Sequence, residues 1–234
     1  MQTVTVPADT TLELTMADIP NGAILRHTTN SGYFFYVYGT VNVHDVVLDG
    51  NRQAFAYSST HNAMFRVDKG GTLHLQEGTV AQNIRGSSQS VVYVYGAKDT
   101  TNTVIVDDLT VVNGIETYVS TMTETSGTNI FYLTGAAGGA INLTVNGGTI
   151  TGNQARLLYV TYSSDNHLVF NGGTFSDNTV AGPGAVFLGS YTTNVTNTVL
   201  DINGGTYANN RSVSTSTSYG YGGIAYLKLD AEIT

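Results

Sequence analysis

Leu143–Asn153 reads LTVNGGTITGN, and the phrase returns as LVFNGGTFSDN at Leu168–Asn178 and as LDINGGTYANN at Leu200–Asn210. Looser copies precede these three. Indexed on the threonine after the paired glycines, six copies fall at Val47, Thr79, Thr110, Thr149, Thr174 and Thr206. Their spacings, about 32, 31, 39, 25 and 32 residues, are those of a solenoid, in which each repeat buries its apolar face only against its neighbours.

Columns through the six copies carry the physics. Six residues before the index stand Val41, Leu73, Val104, Leu143, Leu168 and Leu200; four before it stand Val43, Leu75, Val106, Val145, Phe170 and Ile202. Both columns are wholly apolar, while the one between them (Asn42, His74, Ile105, Thr144, Val169, Asp201) is mixed. That alternation is a strand with one buried face. The position after the index is apolar again: Leu48, Val80, Val111, Ile150, Phe175 and Tyr207. Four after the index come Asn51, Asn83, Gly114, Asn153, Asn178 and Asn210. Asparagine there is expected to take the left-handed turn and to bond its equivalent one rung away.

A second strand is expected between copies, at Tyr36–Gly39, Phe65–Asp68, Tyr93–Gly96, Phe131–Thr134, Leu158–Thr161, Val186–Gly189 and Ala225–Lys228. All copies run in one direction, so successive coils pair in parallel. The expected fold is all-β: a right-handed parallel β-helix of about seven coils, roughly 35 Å long at about 4.8 Å per coil. The 234 residues are expected to form one such domain, a piece of a longer chain.

Only 11% of residues are charged and the net charge is −8. Nine scattered Lys and Arg make a poor phosphate-binding surface, so no nucleic-acid partner is expected. Cysteine is absent, which removes disulfides and cysteine-ligated zinc. No apolar run is long enough to cross a membrane as a helix, and no membrane insertion is expected.

The chain resembles the pectate-lyase-like adhesive domains of bacterial and archaeal surface proteins. Val4–Leu14 (VTVPADTTLEL) looks like their entry strand, and Gly39–Asn51 (GTVNVHDVVLDGN) and Gly70–Asn83 (GGTLHLQEGTVAQN) look like their rungs. Phe175-Ser176-Asp177-Asn178 and Gly138-Gly139-Ala140-Ile141 are similar to the FxxN and GGA[ILV] repeats of chlamydial polymorphic membrane proteins; Gly222-Gly223-Ile224-Ala225 departs by one insertion. The resemblance implies an extracellular, cell-surface adhesin whose partner is a glycan or another protein. It brings no catalytic residue.

Parallel β-helices also host polysaccharide lyases and hydrolases. Of the segments a polygalacturonase-like site requires, only the paired aspartates occur, at Asp107-Asp108, and the arginines share no column. A non-catalytic protein is therefore expected. Two constellations remain as binding candidates. Asp45, Glu77 and Asp108 fall two residues before the index on consecutive rungs, a weak Ca²⁺ candidate because stacked carboxylates repel without a cation between them. On the second strand, the outward column is expected to read Val37, Arg66, Val94, Tyr132, Tyr159, Phe187 and Tyr226. Tyr132, Tyr159, Phe187 and Tyr226 would form an aromatic stripe for a sugar or partner protein. Tyr118, Tyr219 and Tyr221 lie in variable loops expected to share one side. Neither end of the sequence shows a polar cap, so either further coils or head-to-tail self-association into a filament or spacer is expected.

Overall fold

A computed structural model describes residues 3–15, 24–26, 32–54, 63–86, 89–117, 128–161, 165–182, 184–189, 197–213, 224–226 and 231–233. These form a right-handed parallel β-helix with three long sheets, two of eight strands and one of seven. Each coil contributes one strand to each sheet in turn. One full coil runs through Asn129–Gly135 in the first sheet, Ala140–Val145 in the second and Thr149–Thr151 in the third. Two additional two-stranded ladders, Ile84–Gly86 with Ile115–Thr117 and Thr179–Ala181 with Arg211–Val213, pair where the chain leaves the third sheet.

The second sheet follows the sequence columns. Val41, Leu73, Val104, Leu143, Leu168 and Leu200 stand in register from coil to coil and all are buried. Each such side chain, removed from water, contributes about 1.5–3 kcal/mol. The tube is filled where three such faces meet. Toward its far end the filling is aromatic: the Phe187 ring lies 5.2 Å from Phe170 edge-on, and Phe175 stacks on Tyr207 at 5.2 Å.

In the third sheet the register departs from the sequence alignment at one rung. Val47 pairs with Val80, and Val80 with Thr110, so Val80 and not Thr79 stands in the indexed column. The corner before it carries one extra residue, accommodated by Gly78 at φ 74°. Thr79 is drawn into the wall, fully buried, and its hydroxyl donates to Val43 O and Gln76 O.

The interior asparagine ladder forms on three rungs. Asn153 Nδ2 donates to Asn178 Oδ1 (3.1 Å), and Asn178 Nδ2 to Asn210 Oδ1 (2.9 Å). The left-handed residue is not the stacked asparagine here but its predecessor: Gly152, Asp177 and Asn209. On the earlier rungs Asn51 and Asn83 themselves take the left-handed turn. Asn83 and Gln82 then donate their amides to the buried Asp49 carboxylate, at 2.8 and 3.1 Å. Burial pushes the Asp49 carboxyl upward, but these bonds, the Asn51 N–H and the Arg26 charge outweigh it and hold it below the usual range.

Candidate binding face

The outward side of the first sheet carries the most organised surface among the described residues. Its column, read from strand pairing, is Tyr36, Arg66, Tyr93, Tyr132, Tyr159, Leu188 and Tyr226. Tyr36, Arg66, Tyr93, Tyr132 and Tyr159 are half-buried. Tyr33, just ahead of the strand Phe35–Val37, folds over them: its ring stacks on Tyr93 at 6.0 Å and meets Tyr36 edge-on at 5.1 Å. The ladder continues from Tyr93 to Tyr132 (5.6 Å, stacked) and on to Tyr159 (5.2 Å, tilted).

Arg66 sits inside this ladder. Its guanidinium lies 5.4–5.8 Å from the ring centres of Tyr33, Tyr36, Tyr93 and Tyr95. Asp68 closes the cage with a 2.9 Å bond to Arg66 Nη2. Each ring contributes about 0.5–2 kcal/mol of cation–π attraction, enough in sum to fix the long side chain. Burial works against the charge, but the Asp68 carboxylate prevails and Arg66 is held more firmly protonated than usual. Its buried Nε has no hydrogen-bond partner among the described residues. At the adjoining corner Lys69 Nζ lies 4.4 Å from the Tyr38 ring centre. At the other end of the row the buried Arg156 guanidinium lies 5.7 Å from the Tyr159 ring, while its Nε donates to Gly184 O and its Nη1 to Asn129 Oδ1.

Tyrosines packed this way resist ionisation. Burial, reinforced by the neighbouring Tyr33, pushes the Tyr93 phenol up to about 12; burial also raises Tyr33 and Tyr159. Because the folded state holds these protons longer than the unfolded chain, their contribution to stability is intact below about pH 10. It is lost as pH rises toward the folded value of Tyr93, about 12. An ultraviolet titration of phenolate is expected to show a late-ionising class of tyrosines, diminished in Tyr93→Phe.

Of the expected stripe, Tyr132 and Tyr159 stand as expected and Tyr226 shares their register. Phe187 does not belong to it: it pairs with the inward Leu158 and packs on Phe170 in the core, while Leu188, equally buried, takes the ladder position beside Tyr159. Val37 and Val94 are likewise core residues, and Tyr36 and Tyr93 take their places outside. The residue before the first inward position of the row, such as Phe34, Met64, Val91 or Val186, is buried as well. Two consecutive inward residues hide the parity of the alternation, and a shift by one exchanges the faces. A usable signal was Phe65, Phe131 and Leu158, which fix the inward column unambiguously. Tyr118, Tyr219 and Tyr221 lie outside the described residues.

The acidic column does not assemble. Among the described residues no group of three or more His, Asp or Glu is placed to hold a metal ion. The extra residue puts Gly78 and not Glu77 level with Asp45 and Asp108. Asp45 N–H donates to Glu77 O at 3.0 Å, and a side chain at Gly78 would strike Asp45 Oδ1 at 2.5 Å. Asp45 Oδ2 lies 3.1 Å from His44 Nδ1. The neighbouring Asp107 takes part in a different structure, absent from the sequence reading. Its carboxylate meets His74 Nε2 at 2.5 Å and accepts from Asn146 Nδ2 at 2.8 Å. Asn171 Nδ2 then donates to Asn146 Oδ1, and Asn203 Nδ2 to Asn171 Oδ1, both at 2.9 Å. This exposed amide ladder runs up the corner between the second and third sheets.

No known family, curated protein or solved structure matches the chain.

Proposed function

We propose that this chain is a non-catalytic binding module, an adhesin-like rod displayed at a cell surface, whose tyrosine row holds a glycan or the surface of another protein. One observation carries the reading: half-buried tyrosines on successive coils, locked around Arg66, form a rigid strip along the rod. Tyrosine presents apolar area and a hydroxyl at little conformational cost, which is why it dominates recognition surfaces. In this ladder the ring faces largely cover one another. Tyr36, Tyr93, Tyr132 and Tyr159 remain half-exposed, so the strip offers a ligand amphipathic area and phenol groups held in fixed positions. The resemblance of the repeats to surface adhesive domains, and the missing lyase and hydrolase segments, support the same reading.

The test is binding of the purified chain to panels of immobilised glycans and extracellular proteins, comparing wild type with a Tyr93→Ala/Tyr132→Ala double variant. A selective signal that weakens about tenfold or more in the variant, as expected for removal of anchoring tyrosines, supports the proposal. Which panel responds assigns the partner class. Binding that is unchanged in a folded double variant would place the partner elsewhere on the rod.

A further inference from the structure

We infer that the exposed amide ladder is a site of spontaneous, ordered deamidation that starts at Asn203 and proceeds through Asn171 to Asn146. Three of the chain's five Asn-Gly steps lie on this one corner: Asn146-Gly147, Asn171-Gly172 and Asn203-Gly204. Packing imposes both residues. A side chain at Gly147, Gly172 or Gly204 would lie 2.6, 2.5 or 2.5 Å from the carbonyl oxygen of the preceding coil, on Asp107, Asn146 and Asn171 respectively. Only glycine fits there. The residue before it must be a short amide able to donate to one coil and accept from the next. Stacking coils this tightly therefore builds the sequence step whose side-chain amide is least shielded from its own backbone.

The chemistry needs no partner but water. The deprotonated backbone nitrogen of the glycine attacks the asparagine Cγ and forms a C–N bond. The Cγ–Nδ2 bond breaks, and the amide leaves as ammonia, carrying the proton lost by the glycine. Water then opens the resulting cyclic imide at either carbonyl, giving aspartate or isoaspartate. Attack requires the asparagine side chain to leave the ladder.

The ladder sets the order. Asn146 and Asn171 are each tethered at both ends of the amide, donating through Nδ2 and accepting at Oδ1. Asn203 donates to Asn171 Oδ1 at 2.9 Å, and its own Oδ1 accepts from none of the described residues. Gly204 N–H bonds Phe170 O at 3.2 Å, so the order rests on the side-chain tethers and not on the freedom of the nucleophile. Once Asn203 has become a carboxylate it has no N–H to offer Asn171, and two oxygens face each other. Asn171 is then tethered at one end only. Asn146 goes last because its donation ends on the charged Asp107, the stronger kind of bond.

To test this, the folded 234-residue chain is held in mildly alkaline buffer made with heavy-oxygen water, then digested and mapped by mass spectrometry. Label is expected at residue 203 severalfold ahead of 171, with 146 slowest. In Asn203→Asp, checked for folding by circular dichroism, label at Asn171 is expected to appear severalfold sooner than in wild type. Labelling of Asn146 first, equal rates at all three sites, or an Asn171 rate unmoved by Asn203→Asp would overturn the inference. So would no label at the ladder over a period in which the denatured chain reacts fully.

Discussion

Asn153→Ala is expected to lower the unfolding free energy by about 3–5 kcal/mol, at the upper end of what one substitution does. The side chain is 1% exposed and nearly saturated with hydrogen bonds. Its Oδ1 accepts from Gly114 N (2.9 Å) and Ile115 N (3.1 Å). Its Nδ2 donates to Val111 O at 2.8 Å and to Asn178 Oδ1 at 3.1 Å. Alanine deprives two backbone N–H groups and a carbonyl of these partners inside the wall, each worth about 1–3 kcal/mol when left unpaired and buried. The loss spans three coils and severs the chain of amides at its inner end. Asn210→Ala, at the more exposed end of the same ladder, is expected to cost less. Urea unfolding of the two variants beside wild type measures the difference as a shift in midpoint. Equal shifts would mean that the interior ladder is not the stabilising element the geometry makes it.

The second large effect is expected at Gly71, and the contrast with Gly70 makes it specific. Gly70 is left-handed (φ 86°), yet the nearest atom to an added Cβ is 4.0 Å away. Gly70→Ala therefore costs only the backbone strain of a left-handed alanine, about 1 kcal/mol. A Cβ on Gly71 would lie 2.1 Å from Val37 O and 2.8 Å from Val37 C, both backbone of the preceding coil. Relief requires the two coils to part where Thr72 N bonds Gly39 O at 2.8 Å. Gly71→Ala is expected to destabilise by about 3 kcal/mol or more, through overpacking that a rigid wall cannot absorb. Thermal unfolding of both variants tests it: a larger drop for Gly70→Ala would show that backbone conformation and not coil spacing limits this corner.

These two sites mark how far the sequence alone is legible. Asn153 and Asn178 were visible as a column of turn asparagines, and their bonding across coils follows from stacking equal residues on equal backbones. The phrase at Asn51 and Asn83 looked the same, yet there the asparagines turn the chain and Asn83 serves the buried Asp49. The tyrosine row was half legible. Tyr132 and Tyr159 follow from alternation counted from Phe131 and Leu158, whereas Tyr36 and Tyr93 were hidden by the paired inward residues before them. Tyr33 could not be read from any column, because it folds over the ladder from outside the strand. The acidic column was a consequence of aligning across the Gly78 insertion as though no residue had been added.

By itself the sequence determined the strands, their shared direction, the apolar columns that fill the tube and the parallel β-helix that follows. These rest on periodicities of two and of about thirty residues, which survive small errors of alignment. Only the tertiary structure decided which residue of one coil lies over which residue of the next. It thereby decided the cage around Arg66, the paths of both amide ladders and the replacement of Glu77 by Gly78 in the acidic column. The physical reason is that register is set by hydrogen bonds and packing between residues about one coil apart. One inserted residue costs the hydrophobic pattern little, but it displaces every side-chain partner on that face.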